Sequence, residues 1–200
     1  MSQTERLADL GFAAAKVPHG THICQIYTDE RERDEALRHF VSRGLANGEA
    51  TACFSDTVDR PALEAWLARE SLSACDERLT VSGSTSVYFP DGRFDPLRML
   101  ELLRAFHRGS VEAGRTGARV IGEMSPEINR VPGGSRLFEY ESRVNQLLRD
   151  HPVTAVCQYD ARAFSGATIM DVLSVHPVMV VHGALVNNPF FVPPENLAGR

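Results

Sequence analysis

Two rhythms of apolar residues alternate along this chain. Short, nearly continuous apolar runs are separated by longer stretches in which apolar residues recur every three or four positions. The first rhythm reads as buried strands, the second as helices with one apolar face. Six strands are predicted, at His22–Tyr27, Ala50–Ser55, Leu79–Ser82, Ala118–Met124, Val153–Tyr159 and Val178–His182. Helices are predicted from Asp29 to Ala46, from Asp59 to near Ser71, from Asp95-Pro96 through Val111, from Ser135 to Arg149 and from Ser165 to Val175. Asp59 with Pro61 is a helix-start signal, and Asn47-Gly48 a helix stop.

The segments between these elements are read from their turn residues. Residues 1–18 carry a short helical spacing (Leu7, Leu10, Phe12, Ala13) and read as a lead-in. Gly83–Arg93 reads as a loop or hairpin that exposes Tyr88 and Phe89, and Ser125–Gly134 as a loop at the C-terminal end of a strand. The stretch from Asn187 to Glu195, with Phe190-Phe191-Val192, reads as an extended tail. Strand and helix alternating throughout predict an α/β fold: three layers, with a mostly parallel sheet flanked by helices on both faces. A single domain is expected over residues 1–200, with its core at about 17–195.

Composition narrows the class. A hydrophobic content of 43% and a charged content of 24% are those of a soluble globular protein. A net charge of −5 gives no general reason to bind nucleic acid directly or an anionic membrane. No apolar run reaches the roughly 18 residues of a membrane span, and the N-terminus lacks the layout of a secretory signal. Cys24, Cys53, Cys75 and Cys157 show no CxxC spacing, and three lie in or beside apolar strands. Buried reduced thiols and a cytoplasmic location are expected.

Candidate chemistry follows from the strand ends, because ligands in parallel α/β sheets bind outside the carboxyl ends of the strands. Those ends carry Tyr27, Thr28 and Asp29, then Ser55 and Asp56, then Glu123, Met124 and Ser125, then Tyr159, Asp160 and Arg162, and finally His182. If the first, fourth and fifth strands are neighbours, Tyr27, Glu123 and Tyr159 line one crevice, with Asp29, Ser125 and Asp160 at its rim. Two phenols and a carboxylate suit a small-molecule pocket. The turn after Tyr27 is acidic (Asp29, Glu30, Glu32) and holds no glycine or lysine. A phosphate cradle needs backbone amides and an ammonium at that place, so ATP hydrolysis is not expected.

Histidine and cysteine raise a second possibility. His22 and Cys24 share one face of a strand, and Cys157 and Tyr159 share a face of another. His22, Cys24 and Cys157 would form a metal cluster if the strands were adjacent and their faces coincided. The alternative, favoured by the lack of CxxC or HxxxH spacing, is a pair of core thiols and a hydrogen-bonded histidine. His182-Gly183 is the more open of the histidine sites. His151-Pro152 and His176-Pro177 read as conformational or hydrogen-bonding features at strand starts.

Several motifs together resemble one family. His22-Ile-Cys-Gln-Ile-Tyr27 with its long following helix, Cys157-Gln-Tyr-Asp160 before Phe164, His176-Pro177 and the later Asn-Pro-Phe-Phe are, in order and spacing, similar to the methanogen/methylotroph sensory domains called MEDS. The resemblance covers about residues 17–195. It implies a sensory α/β domain of RecA/KaiC-like shape, here with a degenerate phosphate loop, that detects small hydrocarbon derivatives. On that comparison Glu123 stands where a RecA-like ATPase carries its catalytic or magnesium-binding acid. Such domains are usually joined to a DNA-binding or kinase module. Neither is recognisable here, so the expectation is either a separate partner (a kinase, anti-sigma factor or DNA-binding regulator) or a sequence that is a fragment of a longer chain.

The expectation is therefore a non-enzymatic signal-input domain that takes a small, largely apolar molecule, without a resident metal or nucleotide. A degenerate nucleotide-binding regulator and an interaction module with no small ligand are the alternatives. The apolar tail is compatible with a homodimer.

Overall fold

The computed structural model describes residues 6–196. A small hairpin, β1 (Leu7–Asp9) and β2 (Lys16–Pro18), precedes β3 (His22–Tyr27), α1 (Glu30–Ala46), β4 (Ala50–Phe54), α2 (Arg60–Arg69) and β5 (Leu79–Ser82). Then come α3 (Ser84–Tyr88), α4 (Pro96–Glu112), β6 (Ala118–Glu123), two 3-10 turns (Pro126–Asn129 and Gly134–Arg136) and α5 (Leu137–Asp150). The chain continues through β7 (Val153–Asp160), α6 (Gly166–Val175), β8 (Val178–Val181) and β9 (Ala184–Asn187). Strands β3 to β9 form one seven-stranded sheet in the order β5-β4-β6-β7-β3-β8-β9, parallel except for β9. Helices cover both faces, as the alternating pattern predicts.

Both faces of the central strands are buried, which explains their lack of hydrophobic alternation. Side chains still divide by period two. Cys24, Val120, Ala155 and Tyr159 pack with Met99 and Leu103 of α4, Tyr140, Val144 and Leu147 of α5, and Val172 of α6. Ile23, Ile121 and Val156 pack on the other face with Leu37, Phe40 and Val41 of α1, Leu63 and Leu67 of α2, and the β1–β2 hairpin. The helix starts follow the polar signals. Asp29 accepts from the Arg31 N–H, Asp59 from Ala62, Asp95 from Leu97 and Ser165 from Thr168.

Three local expectations are corrected. Residues 7–18 form a hairpin, not a helix: Gly11 takes φ +82 and its N–H donates to the Asp9 carboxylate, turn chemistry that outweighs the helical spacing of Leu7 and Leu10. Tyr88 and Phe89 are buried instead of exposed, because α3 folds them inward against Phe54 and Phe94. Asp56 anchors that helix start, accepting from the Ser84 hydroxyl at 2.7 Å and the Thr85 N–H at 2.8 Å. The final strand, β9, had no separate signal. His182 and Gly183 both take positive φ and join β8 to β9 in a two-residue hairpin of the primed type.

A buried ion pair pins the hairpin, α1 and the sheet together. Arg119 of β6 is fully buried and donates to both oxygens of Glu49 at 2.6 and 2.7 Å, to the Asp9 carbonyl at 3.0 Å and to the Phe40 carbonyl at 3.2 Å. Its guanidinium also lies over the Phe40 ring. The path of Arg119 past α1 requires Gly44, where a Cβ would stand 2.6 Å from the Arg119 side chain. Breaking a buried pair from one side leaves a bare charge. Glu49→Ala should therefore lower the unfolding free energy by about 3–5 kcal/mol, whereas the double change Glu49→Met with Arg119→Met should cost far less. Urea denaturation checks both, and a Glu49→Ala loss below about 1 kcal/mol, the value for exposed pairs, would contradict the assignment.

Candidate functional site

The carboxyl ends of β3, β4 and β6 come together on the α1 face of the sheet, with Glu123 at their centre. Glu123 Oε1 accepts from the Tyr27 hydroxyl at 2.7 Å. Its Oε2 accepts from Ser55 at 2.6 Å, Thr57 at 2.8 Å and Arg33 Nη1 at 3.2 Å. Arg33, only 3% exposed, also pairs with Glu30 at 3.2 Å and Asp34 at 3.1 Å, so one guanidinium serves three carboxylates. Burial and the hydrogen bond to Glu123 push the Tyr27 phenol far above its ordinary value, so it stays protonated and donates. Both oxygens of Glu123 are thus engaged by neighbours of its own chain, while Arg33 Nε is buried without a hydrogen-bond partner.

The rim residues hold local structure. Asp29 caps α1. Ser125 accepts from the Glu127 N–H and starts the first 3-10 turn. Asp160 forms a two-pronged pair with Arg162 at 2.8 Å for each contact; that guanidinium holds the carboxyl below its usual value, and Arg162 reaches on to Glu30.

Tyr159 does not join this crevice. In the β3–β7 register Tyr27 pairs with Asp160 and Ile26 with Tyr159, so the two phenols lie on opposite faces. The expected single pocket divides in two. Tyr159 is fully buried and donates to Glu141 of α5, at the heart of a second constellation.

That second constellation comprises His22 of β3, Glu141 of α5, Cys157 of β7 and His176 after α6, whose ligand atoms all lie within 4.8 Å of one another. His22 Nε2 stands 3.4 Å from Cys157 Sγ and 3.2 Å from Glu141 Oε2, and His176 Nε2 is 3.8 Å from that same oxygen. The two imidazoles stack with centroids 3.9 Å apart. His176 Nδ1 lies 2.7 Å from the Val172 carbonyl, an acceptor only, so Nδ1 carries the proton. Burial and neighbouring His22 push the His176 imidazole down to about 3, so it is neutral near pH 7. Burial alone would raise the Glu141 carboxyl, but His22 and the Tyr159 hydroxyl prevail and hold it below the ordinary glutamate value. Burial and the charge of Glu141 push the Cys157 thiol well up. The His22–Glu141 contact is ionic in distance but off hydrogen-bond geometry. Glu141 Oε2, His176 Nε2 and His22 Nδ1 are each buried without a hydrogen-bond partner.

A cavity of about 130 Å³ lies between the 3-10 turns, α5 and α6 and has Glu141 of this group in its lining. Leu137, Phe138, Val172 and Val175 share that lining with the polar Asn129, Ser135, Thr168 and Asp171. Of the expected metal-or-structural residues, His22 and Cys157 meet here. Cys24 shares the sheet face but lies outside the group, and His182 sits on the exposed β8–β9 turn. The sequence reading missed Glu141 and gave His176 only a hydrogen-bonding role, which its Val172 contact bears out in part. Glu141 had a signal: it falls on the apolar stripe of α5, four residues after Leu137 and three before Val144.

Comparison with known proteins fits this picture. Residues 21–177 match MEDS, the MEthanogen/methylotroph, DcmR Sensory domain. The transcriptional repressor DcmR of Methylorubrum extorquens is 24% identical over 165 residues, covering 82% of this chain. The chain spans 61% of that repressor's length. Among solved structures, the flagellar accessory protein FlaH of Methanocaldococcus jannaschii superimposes with a TM-score of 0.59 at 11% identity, over 84% of this chain and 76% of FlaH. A KaiC-like protein of Pyrococcus horikoshii also reaches 0.59, at 14% identity, over 88% of this chain and 80% of that one. These likenesses establish a RecA/KaiC-like fold.

The first constellation yields a stability prediction. Arg33→Met leaves Glu30, Asp34 and Glu123 without their shared cation and should lower the unfolding free energy by about 3 kcal/mol in urea titrations. A loss under about 1 kcal/mol would show that the guanidinium behaves as an exposed partner.

Proposed function

The chain belongs to the MEDS family of sensory domains, and from that premise we propose that it is a non-enzymatic signal-input domain that takes up a small, largely apolar molecule. The observation that carries the reading is the cavity of about 130 Å³ under α5 and α6, with Glu141 in its lining. A cavity of roughly 150 Å³ is enough for a benzene-sized guest, so this one suits a molecule of a few heavy atoms. Leu137, Phe138, Val172 and Val175 supply apolar contact, and Asn129, Ser135, Thr168, Asp171 and Glu141 supply polar groups that would orient a guest, the usual division of labour in a small-ligand site.

Uptake is coupled to shape through the walls themselves. Gly134 and Asn129 belong to the 3-10 turns, and Thr168 and Val172 to α6, so a guest touches two surface elements at once. A guest shifts these elements only in so far as it binds one arrangement better than another. The affected surface would then be read by a separate regulator: a kinase, an anti-sigma factor or a DNA-binding protein. The Arg33–Glu123 contact at 3.2 Å argues against residues 28–33 as the place of ligand capture.

A thermal-shift panel tests the reading, with halogenated and simple C1–C4 compounds in one arm and ATP with magnesium in the other. A true ligand at about a hundred times its dissociation constant adds about 2.7 kcal/mol. At about 2–4 °C per kcal/mol for a chain of this size, that is a readily measured rise in Tm. Thr168→Phe, which fills the cavity mouth, should abolish the response while leaving the far-UV spectrum unchanged. A response to ATP alone would favour a nucleotide-binding regulator. Silence from every compound would favour an interaction module with no small ligand.

A further inference from the structure

We propose that His22, Glu141, Cys157 and His176 form a buried site for a single divalent metal ion of the zinc class. The inference stands apart from the small-molecule reading, since it rests on the four side chains and not on the cavity's guest.

The first argument is one of unmatched lone pairs. His176 Nδ1 donates to the Val172 carbonyl, so its Nε2 carries a lone pair. That lone pair faces Glu141 Oε2 at 3.8 Å, and neither atom has a hydrogen-bond donor. Two acceptors confronting each other in a fully buried place repel, and their burial without a partner is costly. A cation between them removes both penalties at once.

The second argument is distance. A tetrahedral zinc with bonds of about 2.0–2.1 Å to nitrogen and oxygen and about 2.3 Å to sulfur keeps its ligand atoms about 3.3–3.6 Å apart. Three of the six separations are 3.2 Å (His22 to Glu141), 3.4 Å (His22 to Cys157) and 3.8 Å (His176 to Glu141), and all six lie within 4.8 Å. These values bracket the tetrahedral edge, so small side-chain adjustments would complete the coordination. Two imidazoles, a carboxylate and a thiolate suit a borderline ion such as zinc better than the hard magnesium or calcium.

The third argument is the surroundings. Metal-bound histidines usually donate their other ring N–H to a carbonyl or carboxylate, and His176 does so already. Glu141 Oε1 accepts from the buried Tyr159 hydroxyl, which leaves Oε2 for the metal. The ligands come from β3, α5, β7 and the end of α6, so an ion here would tie α5 and α6 to the centre of the sheet. The cavity under α5 and α6 reaches one of the four, Glu141. On coordination the Cys157 thiol releases its proton to solvent and binds as thiolate.

The experiment uses the whole purified chain, stripped of metal and reconstituted with zinc or cobalt(II). Elemental analysis should find one equivalent of zinc after gel filtration. The cobalt form should show the near-ultraviolet thiolate-to-metal charge-transfer band and visible bands of tetrahedral strength. X-ray absorption of the wild-type zinc form should show one sulfur at about 2.3 Å among nitrogen and oxygen neighbours, a readout that needs no variant to fold. Cys157→Ser should lose the charge-transfer band, while Cys24→Ser, on the same sheet face but outside the group, should keep it. Retention of less than about a tenth of an equivalent after reconstitution would overturn the proposal. So would an absorption spectrum without sulfur, or a charge-transfer band that survives Cys157→Ser.

Discussion

Three carboxylates, those of Glu49, Glu123 and Glu141, lie within or at the rim of this sheet, and a charge removed from water must be compensated inside the protein. How each is compensated decides what its neighbourhood does. Glu49 receives both prongs of Arg119, a closed pair that locks the β1–β2 hairpin and α1 to β6. Glu123 receives Tyr27, Ser55, Thr57 and Arg33. Glu141 alone keeps an oxygen with no donor, between two imidazoles and a thiol.

A RecA/KaiC-like fold presents a strand, a turn and a helix N-terminus where a phosphate group can sit. Here the helix start carries Asp29, Glu30 and Glu32, and the nearby guanidinium of Arg33 is spent on its own carboxylates. Phosphoryl transfer is mostly positioning and electrostatic stabilisation, and the side chains that would supply them are bound to one another.

Much of the framework was legible in the chain. Continuous apolar runs marked the strands from His22–Tyr27 to Val178–Val181 to within a residue or two, because strands covered on both faces lose their alternation. Asp59, Asp95 and Ser165 marked helix starts by the cap they supply. The β1–β2 hairpin and β9 were hidden because their evidence is turn geometry at Gly11 and at His182-Gly183, not periodicity. The site was less legible for a specific reason. Which of two residues faces which layer depends on register, and a shift of one residue sends Tyr159 to the face away from Tyr27. His22 and Cys157 were recognisable as candidates, but Glu141 and His176 reach them only through the packing of α5 and the end of α6 on β3 and β7. The charge of Glu141 on an otherwise apolar helical stripe was the one signal available in advance.

Under the proposed assignment Glu141, and not Glu123, is the carboxylate this fold keeps for a ligand. The most direct measurement is a crystal structure of the whole chain grown with zinc and with ATP and magnesium, recorded on both sides of the zinc absorption edge. The account predicts one strong anomalous peak among His22, Glu141, Cys157 and His176, and an unbroken Arg33–Glu123 contact with no nucleotide beside it. A nucleotide seated against residues 28–33, with Arg33 turned away from Glu123 and no anomalous peak at Glu141, would contradict it.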